Sequence, residues 1–454
     1  MLLSRTSYNW AYSEDIPGSR CGPEDGPWPR AYQVLEENEL WKELNIMARP
    51  QTRSLETSAT SSNERGWRAD MINFQPSPTT RTQDRYIVTT LDLHGQKWTL
   101  TGVFDGHLGD ATVEHVAHHL PIIIRDFMRD ALANATPSTI TPAYISELFS
   151  KAIVAFDDAI AGDVLDLFGG IEGLENFSDA QIRSIINDRH RGGANWQKVR
   201  LCMYGTTALV ALVDPEHQNL WVANLGDCQA VMVTSRGDED GWNVEMLTTN
   251  HNGDNDAEVE RVRLQHPGEP ECVIDRRVLG ALAPFRCLGD VPFKQPPEFT
   301  RRILYNLLPG FQNTSPWEEF LVRNRTPPYI TAEPEVTHIK LDEDGQDSEK
   351  SRRRRFLVLS SDGFTDLCSG EGQKRIVESW AREMDERMTL NEKEAQQHQH
   401  HQLKRGPLGP SNNMALRLLR RALGGEDRYS VSRVLTLDME VAWIDDTSII
   451  VQTL

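Results

Sequence analysis

The stretch "GVFDGHLGD" (102–110) follows "KWTLT" (97–101), so an apolar, strand-like run drives straight into Asp105, Gly106 and His107. Those three are poor strand formers, and the segment reads either as a turn or as a strand that ends at a site. The same texture recurs twice. "FLVLSSDGF" (356–364) runs into Ser361-Asp362-Gly363, and "IDDTSIIV" (444–451) opens a strand with Asp445 and Asp446. One Asp-Gly alone is most simply a turn. Three carboxylates far apart in the chain, each at the edge of an apolar strand, suggest a shared purpose. Hard divalent ions such as magnesium and manganese take carboxylate and carbonyl oxygens, and a sheet that gathers strand ends can supply them. Glycine after Asp105 and Asp362 lets the backbone approach an ion, so the Gly106 carbonyl is itself a candidate ligand. Two such ions can acidify a shared water and aim it at phosphorus.

Composition narrows the options. The chain has 454 residues, 39% of them hydrophobic and 25% charged, as in ordinary globular proteins. No apolar run approaches the roughly 20 residues of a membrane span. A formal net charge of −19 argues against nucleic acid or anionic lipid as partners. Six cysteines lie far apart with no CxxC pair, which reads as buried reduced thiols in a reducing compartment. The N-terminus lacks a secretory apolar core, and Glu14 and Asp15 are unlike an acid-poor transit peptide.

Along the chain, residues 1–69 read as an N-terminal extension and linker, partly disordered, with helical spacing in "AYQVLEENELWKELNIM" (31–47). Residues 70–454 have globular texture. "RYIVTTLDLHGQKWTLTGVF" (85–104) predicts two strands around a His94-Gly95 turn, and residues 110–133 and 143–160 predict two long amphipathic helices. A polar insertion carrying one short helix is expected near 162–200, with further insertions near 341–355 and 386–412. "YGTTALVALV" (204–213), "LWVANLGDCQAVMV" (220–233) and "WNVEMLTT" (242–249) predict a strand meander with Gly226-Asp227 as a turn. The Gln/His tract around His398, His400 and His401 reads as a solvated loop rather than a metal site. The arginines of "RRRRF" (352–356) read as a solvated insertion.

Taken together these segments resemble the metal-dependent type 2C serine/threonine protein phosphatases. "VFDGHLGD" resembles that family's Asp-Gly-His-Gly-Gly segment, and "YGTTALVALV" its Gly-Ser/Thr-Thr-Ala strand. "LWVANLGDCQAVM", "FLVLSSDGFTDL" and "DDTSIIV" resemble its remaining motifs, in family order. Within the family, "HNGDNDAEVERVRLQHPGE", "VLGALAPFRCLGDVPFK", "TPPYITAEPEVT" and "NNMALRLLRRALGG" are similar to the pyruvate dehydrogenase phosphatase catalytic subunits. The resemblance implies an α+β fold, a sandwich of two antiparallel β-sheets flanked by helices. It implies hydrolysis of phosphoserine and phosphothreonine by a metal-activated water at two magnesium or manganese ions. Asp105 would bridge the ions, with the Gly106 carbonyl on one of them and Asp362 and Asp445 on the other. His107 would be the general acid for the leaving seryl or threonyl oxygen. Asp227 and Asp366 resemble positions linked to a third, weaker ion. The implied partner is a phosphoprotein, the pyruvate dehydrogenase complex among them, and the implied place is the mitochondrial matrix, with the cytoplasm as alternative.

Three departures from the family pattern bear on function. Gln83-Asp84 stands where the family has Glu-Asp, which keeps a carbonyl oxygen at the second metal but removes its charge. Leu108 replaces a glycine beside His107, and Cys228 replaces a serine after Asp227. The phosphate-binding arginine is either Arg81 or Arg85. Gln83 keeps open a second reading, a catalytically weak relative that regulates by binding a phosphoprotein.

Overall fold

The computed structural model describes residues 9–26, 28–55, 67–134, 140–236, 241–311, 315–341, 354–368, 370–397, 412–439 and 441–454. The chain divides into two compact units. One comprises Met1–Val88, Gln229–Leu247 and Leu341–Leu454; the other comprises Thr89–Cys228 and Thr248–Lys340. The class is α+β, with antiparallel strand pairing and helices packed on the sheets.

The second unit is built on a five-stranded sheet in the spatial order Glu335–Lys340, Asn219–Leu225, Ala208–Val213, Gln96–Phe104 and Arg85–Leu93. The expected hairpin is present: His94 and Gly95 take φ of 56° and 84° between the last two strands, the left-handed pair that a two-residue turn needs to match strand twist. Every residue of Ala208–Val213 is buried, which explains a continuous apolar run without alternation. Helices Asp110–Ala133 and Pro142–Leu165 pack together, as their apolar spacing predicts. Thr141 caps the second by accepting from the Tyr144 amide. The 162–200 region is more helical than expected. It holds helices Asp179–Ile186 and Ala194–Leu201, and Ser178 starts the former with a capping box closed by Gln181.

The first unit is built on a six-stranded antiparallel sheet in the order Trp242–Met246, Gln229–Ser235, Arg355–Ser360, Thr447–Thr453, Arg68–Phe74 and Gln51–Ser54. The expected meander is therefore corrected. Asn219–Leu225 and Gln229–Ser235 lie in different sheets, and Gly226-Asp227 carries the chain from one to the other instead of closing a hairpin.

Much of the stretch before residue 70 is structured. Asn9–Ala11 pairs with Arg30–Tyr32, and helix Glu37–Ala48 buries Leu40, Leu44 and Ala48 in the same core as Trp380, Leu419 and Val451. Gln51–Ser54, inside the expected linker, is the sheet's edge strand. Helix Gln373–Gln397 runs into the Gln/His tract, whose His398, His400 and His401 lie outside the described residues. All six cysteines are buried and none forms a disulfide.

Candidate active site

In the second unit the end of strand Gln96–Phe104 is held by the segment "YGTTALVALV". The Thr207 amide and the Thr206 hydroxyl both donate to the Asp105 carbonyl, each at 2.9 Å. The Asp105 amide returns a bond to Thr207 Oγ1 at 3.1 Å. Gly106 and His107 then pair with Thr206 and Gly205 in a short three-stranded sheet completed by Leu288–Gly289. The two threonines thus fix the Asp105 backbone at the end of its strand. Thr207 Oγ1 also meets Cys228 Sγ at 3.1 Å, tying this corner to the residue after Asp227.

Asp227 is positioned by the motif that follows its strand. The His251 amide donates to the Gly226 carbonyl at 2.8 Å, and the Asn252 side-chain amide donates to Asp227 Oδ2 at 3.1 Å. Burial pushes the Asp227 carboxyl above its ordinary range, with the Asn252 bond working against it. Asp105 and Asp227 offer carboxylate oxygens within 4.8 Å of each other. Two such oxygens close together and partly desolvated are costly without a cation, and an all-oxygen donor set suits magnesium or manganese. The residues fit that group.

His107 has a partner that the sequence reading missed. Its Nε2 lies 2.6 Å from Asp290 Oδ2, in the segment "RCLGDVPFK". The Asp290 side chain is only 2% exposed, whereas that of His107 keeps 24%, so the imidazole is anchored from inside and open from outside. Burial, the largest influence on His107, pulls its affinity for a proton down; the Asp290 charge and hydrogen bond, with the Asp227 charge added, outweigh it, and the net shift is upward. Burial likewise raises Asp290, yet His107 holds its carboxyl low. The Cys287 thiol donates to the same oxygen at 3.0 Å. A Cβ at Gly205 would lie 2.0 Å from Asp290 Oδ2, so only glycine lets the carboxylate sit flush against that strand. Behind it, Asp157 accepts from the Gly289 amide at 2.7 Å and pairs with Lys294 at 2.6 Å, which pins the loop carrying Asp290. A Gly-Asp in the sequence looks like any turn, and no local signal marks this aspartate.

In the first unit, strand Arg355–Ser360 passes into helix Asp362–Leu367 with Ser361 at its N-cap, so Asp362 stands in the first turn. Asp366 is exposed, one turn further along. A Cβ at Gly363 would lie 2.1 Å from the Asp446 carbonyl oxygen, so this glycine is required by the close approach of the segment before the last strand. Ser361 Oγ donates to Asp84 Oδ2 at 2.6 Å and accepts from the Ser448 amide at 2.9 Å. Burial, with the Asp446 charge added, pushes the Asp84 carboxyl up to about 7. Asp446 takes the Gln83 amide at 2.6 Å and the Gln75 side-chain amide at 2.8 Å. Asp445 pairs with Arg20 from the N-terminal stretch. This unit therefore gathers Gln83, Asp84, Ser361, Asp362, Asp445 and Asp446 at one end of its sheet. Gln83 reaches Asp446 through its backbone. Arg85 is committed to the Thr82 and Asp84 carbonyls at 2.9 and 2.8 Å, while Arg81 is exposed.

The protein phosphatase 2C family pattern matches residues 168–402, over half of the chain. The mitochondrial pyruvate dehydrogenase (acetyl-transferring)-phosphatase 1 of Bos taurus is 30% identical over 416 residues, covering 81% of this chain and 74% of that protein. The chain belongs to the protein phosphatase 2C family. A protein phosphatase 2C homolog of Schizosaccharomyces pombe is 28% identical over 364 residues, covering 78% of this chain and 73% of its own length. The serine-threonine phosphatase 2C structure from Toxoplasma gondii is similar at a TM-score of 0.44 and 15% identity, over 89% of this chain and 98% of that one. As a 2C-family member this chain is a metal-dependent protein serine/threonine phosphatase, and its substrate is a phosphoprotein. Among the described residues no helix is long and apolar enough to cross a membrane.

Proposed function

We propose that the chain hydrolyses phosphoserine and phosphothreonine in proteins at a site for two magnesium or manganese ions. Asp105, the Gly106 carbonyl, Asp362 and Asp445 are the ligands, with Gln83 and Asp84 at the second ion and Asp227 and Asp366 available to a third, weaker one. The observation that carries this reading is the Asp105–Asp227 oxygen pair beside an imidazole anchored by a buried carboxylate. When bound, the ions supply an acidified water and offset the charge of the phosphate. The chain's own residues do the rest. His107, held by Asp290, delivers a proton from its open edge to the leaving seryl or threonyl oxygen. The threonine pair keeps Asp105 in place while its side chain binds. Arg81, whose guanidinium is exposed, takes the phosphate oxygens, since Arg85 is spent on its own loop.

The similarity to mitochondrial pyruvate dehydrogenase phosphatases supports the phosphorylated pyruvate dehydrogenase component as substrate and the mitochondrial matrix as location. The test is phosphate release by the purified chain from that phosphorylated component, compared with an unrelated phosphoserine protein in the same manganese buffer. Faster release from the dehydrogenase supports the substrate assignment. Equal rates overturn it while leaving the phosphatase chemistry standing.

A further inference from the structure

Beside His107 the second unit opens a cleft of about 540 Å³. Two of its walls are chain neighbours of the catalytic segment. Leu108 directly follows His107, and Tyr204 directly precedes Gly205, the register partner of His107. A substrate segment whose phosphoserine reaches His107 therefore has this cleft next to it.

The cleft is cationic in an acidic protein. Arg189 lies over the Trp196 ring at 4.0 Å and Arg200 over the same ring at 5.2 Å, and both line the cleft. Among the described residues neither arginine has an ion-pair partner, whereas Arg286, Arg301, Arg302, Arg417 and Arg420 all do. The tryptophan is itself fixed. It is 9% exposed, its indole N–H donates to the Leu308 carbonyl at 3.0 Å, and its backbone amide donates to Asp188 Oδ1, also at 3.0 Å. Stacking on a fixed ring preorganises the guanidinium planes and leaves their N–H edges to an anion. The Phe311 and Trp317 rings, with centroids 4.0 Å apart, also line the cleft and give it apolar surface.

We propose that this cleft binds an anionic side chain of the substrate segment flanking the phosphorylated serine or threonine, with Arg189 and Arg200 as its charge partners. The inference rests on the proposed function and adds a sequence preference to it. Carboxylates and second phosphates share the chemistry that two guanidinium groups recognise. Leu108, 62% exposed in a left-handed conformation (φ 64°), adds an apolar side chain to the cleft wall directly after His107.

The test is a series of phosphoserine peptides carrying one aspartate at each neighbouring position in turn, read as kcat/KM against an all-alanine parent. At the best position the native chain should prefer the aspartate peptide by about tenfold, and less at high salt. A second phosphoserine at that position should be preferred at least as strongly, and excess inorganic phosphate should compete only weakly if the peptide is the true source of the anion. In the double variant Arg189→Ala, Arg200→Ala the ratio should fall to about one, with Arg189→Lys, Arg200→Lys intermediate. If the alanine variant fails to fold, Arg189→Gln, Arg200→Gln is read the same way. No preferred position, or a preference that survives loss of both arginines, overturns the inference. Turnover of the alanine parent reports separately on the proposed function. If nothing is turned over, that function falls, and fluorescence-polarisation binding of the same peptides decides the cleft by the same ratio.

Discussion

Replacing Asp290 by asparagine tests the acid–base half of the site most sharply. The substitution keeps shape, so the flush packing against Gly205 is retained, but it removes the charge 2.6 Å from His107 Nε2. That charge, together with the hydrogen bond it makes and the Asp227 charge, outweighs burial and keeps the imidazole's proton affinity raised. A buried hydrogen bond between charged groups contributes roughly 1.5–3 kcal/mol, and each ~1.4 kcal/mol is tenfold in rate. Asp290→Asn should therefore slow a phosphoserine peptide by about 10- to 10²-fold in kcat. An aryl phosphate, whose leaving group needs little protonation, should lose only a few-fold. The assay is steady-state phosphate release on both substrates at saturating manganese, with thermal unfolding to confirm the fold. Equal losses on the two substrates would refute the proton-delivery reasoning and leave Asp290 a structural residue; no loss on either would remove it from the site.

Other outcomes follow from the same contacts. Gly363→Ala should destabilise by about 1–3 kcal/mol, because its Cβ meets a backbone oxygen that cannot swing away, and a thermal melt reads this as a lower Tm. Lys294→Met strands the buried Asp157 carboxylate without its cation and should cost roughly 3–5 kcal/mol, measured by urea unfolding; an unchanged midpoint contradicts the pinning of the Asp290 loop. Gln83→Glu restores a negative charge near Asp446 and Asp445 and should lower the half-saturating manganese concentration several-fold, with the two proteins converging at high metal. An overlaid titration removes Gln83 from the metal.

The parts of this structure legible in the sequence are those where local periodicity and global burial agree. Helices Asp110–Ala133 and Pro142–Leu165 carry apolar residues at helical spacing, and the His94-Gly95 hairpin joins two strand-like runs through a pair suited to positive φ. The carboxylates before and after strands stood out because aspartate and glycine interrupt apolar runs abruptly. What stayed hidden depends on long-range pairing. Gly226-Asp227 reads as a hairpin turn because both flanking strands are apolar, and nothing local says that they join different sheets. The N-terminal stretch looks like a linker until Leu40 and Leu44 are seen to share a core with residues some four hundred positions later. Asp290 was invisible for the same reason, since its partner His107 is 183 residues away and its own surroundings resemble a turn.

The most direct test of the central claim is phosphate release from a phosphoserine peptide by the native chain and by Asp105→Asn, each titrated with manganese and then treated with excess chelator. The account predicts turnover by the native chain that rises with manganese and vanishes in chelator, together with no measurable turnover by Asp105→Asn and weaker manganese binding to it by calorimetry. Turnover by the native chain that persists in chelator, or an Asp105→Asn protein that matches it in both rate and metal affinity, would contradict the account.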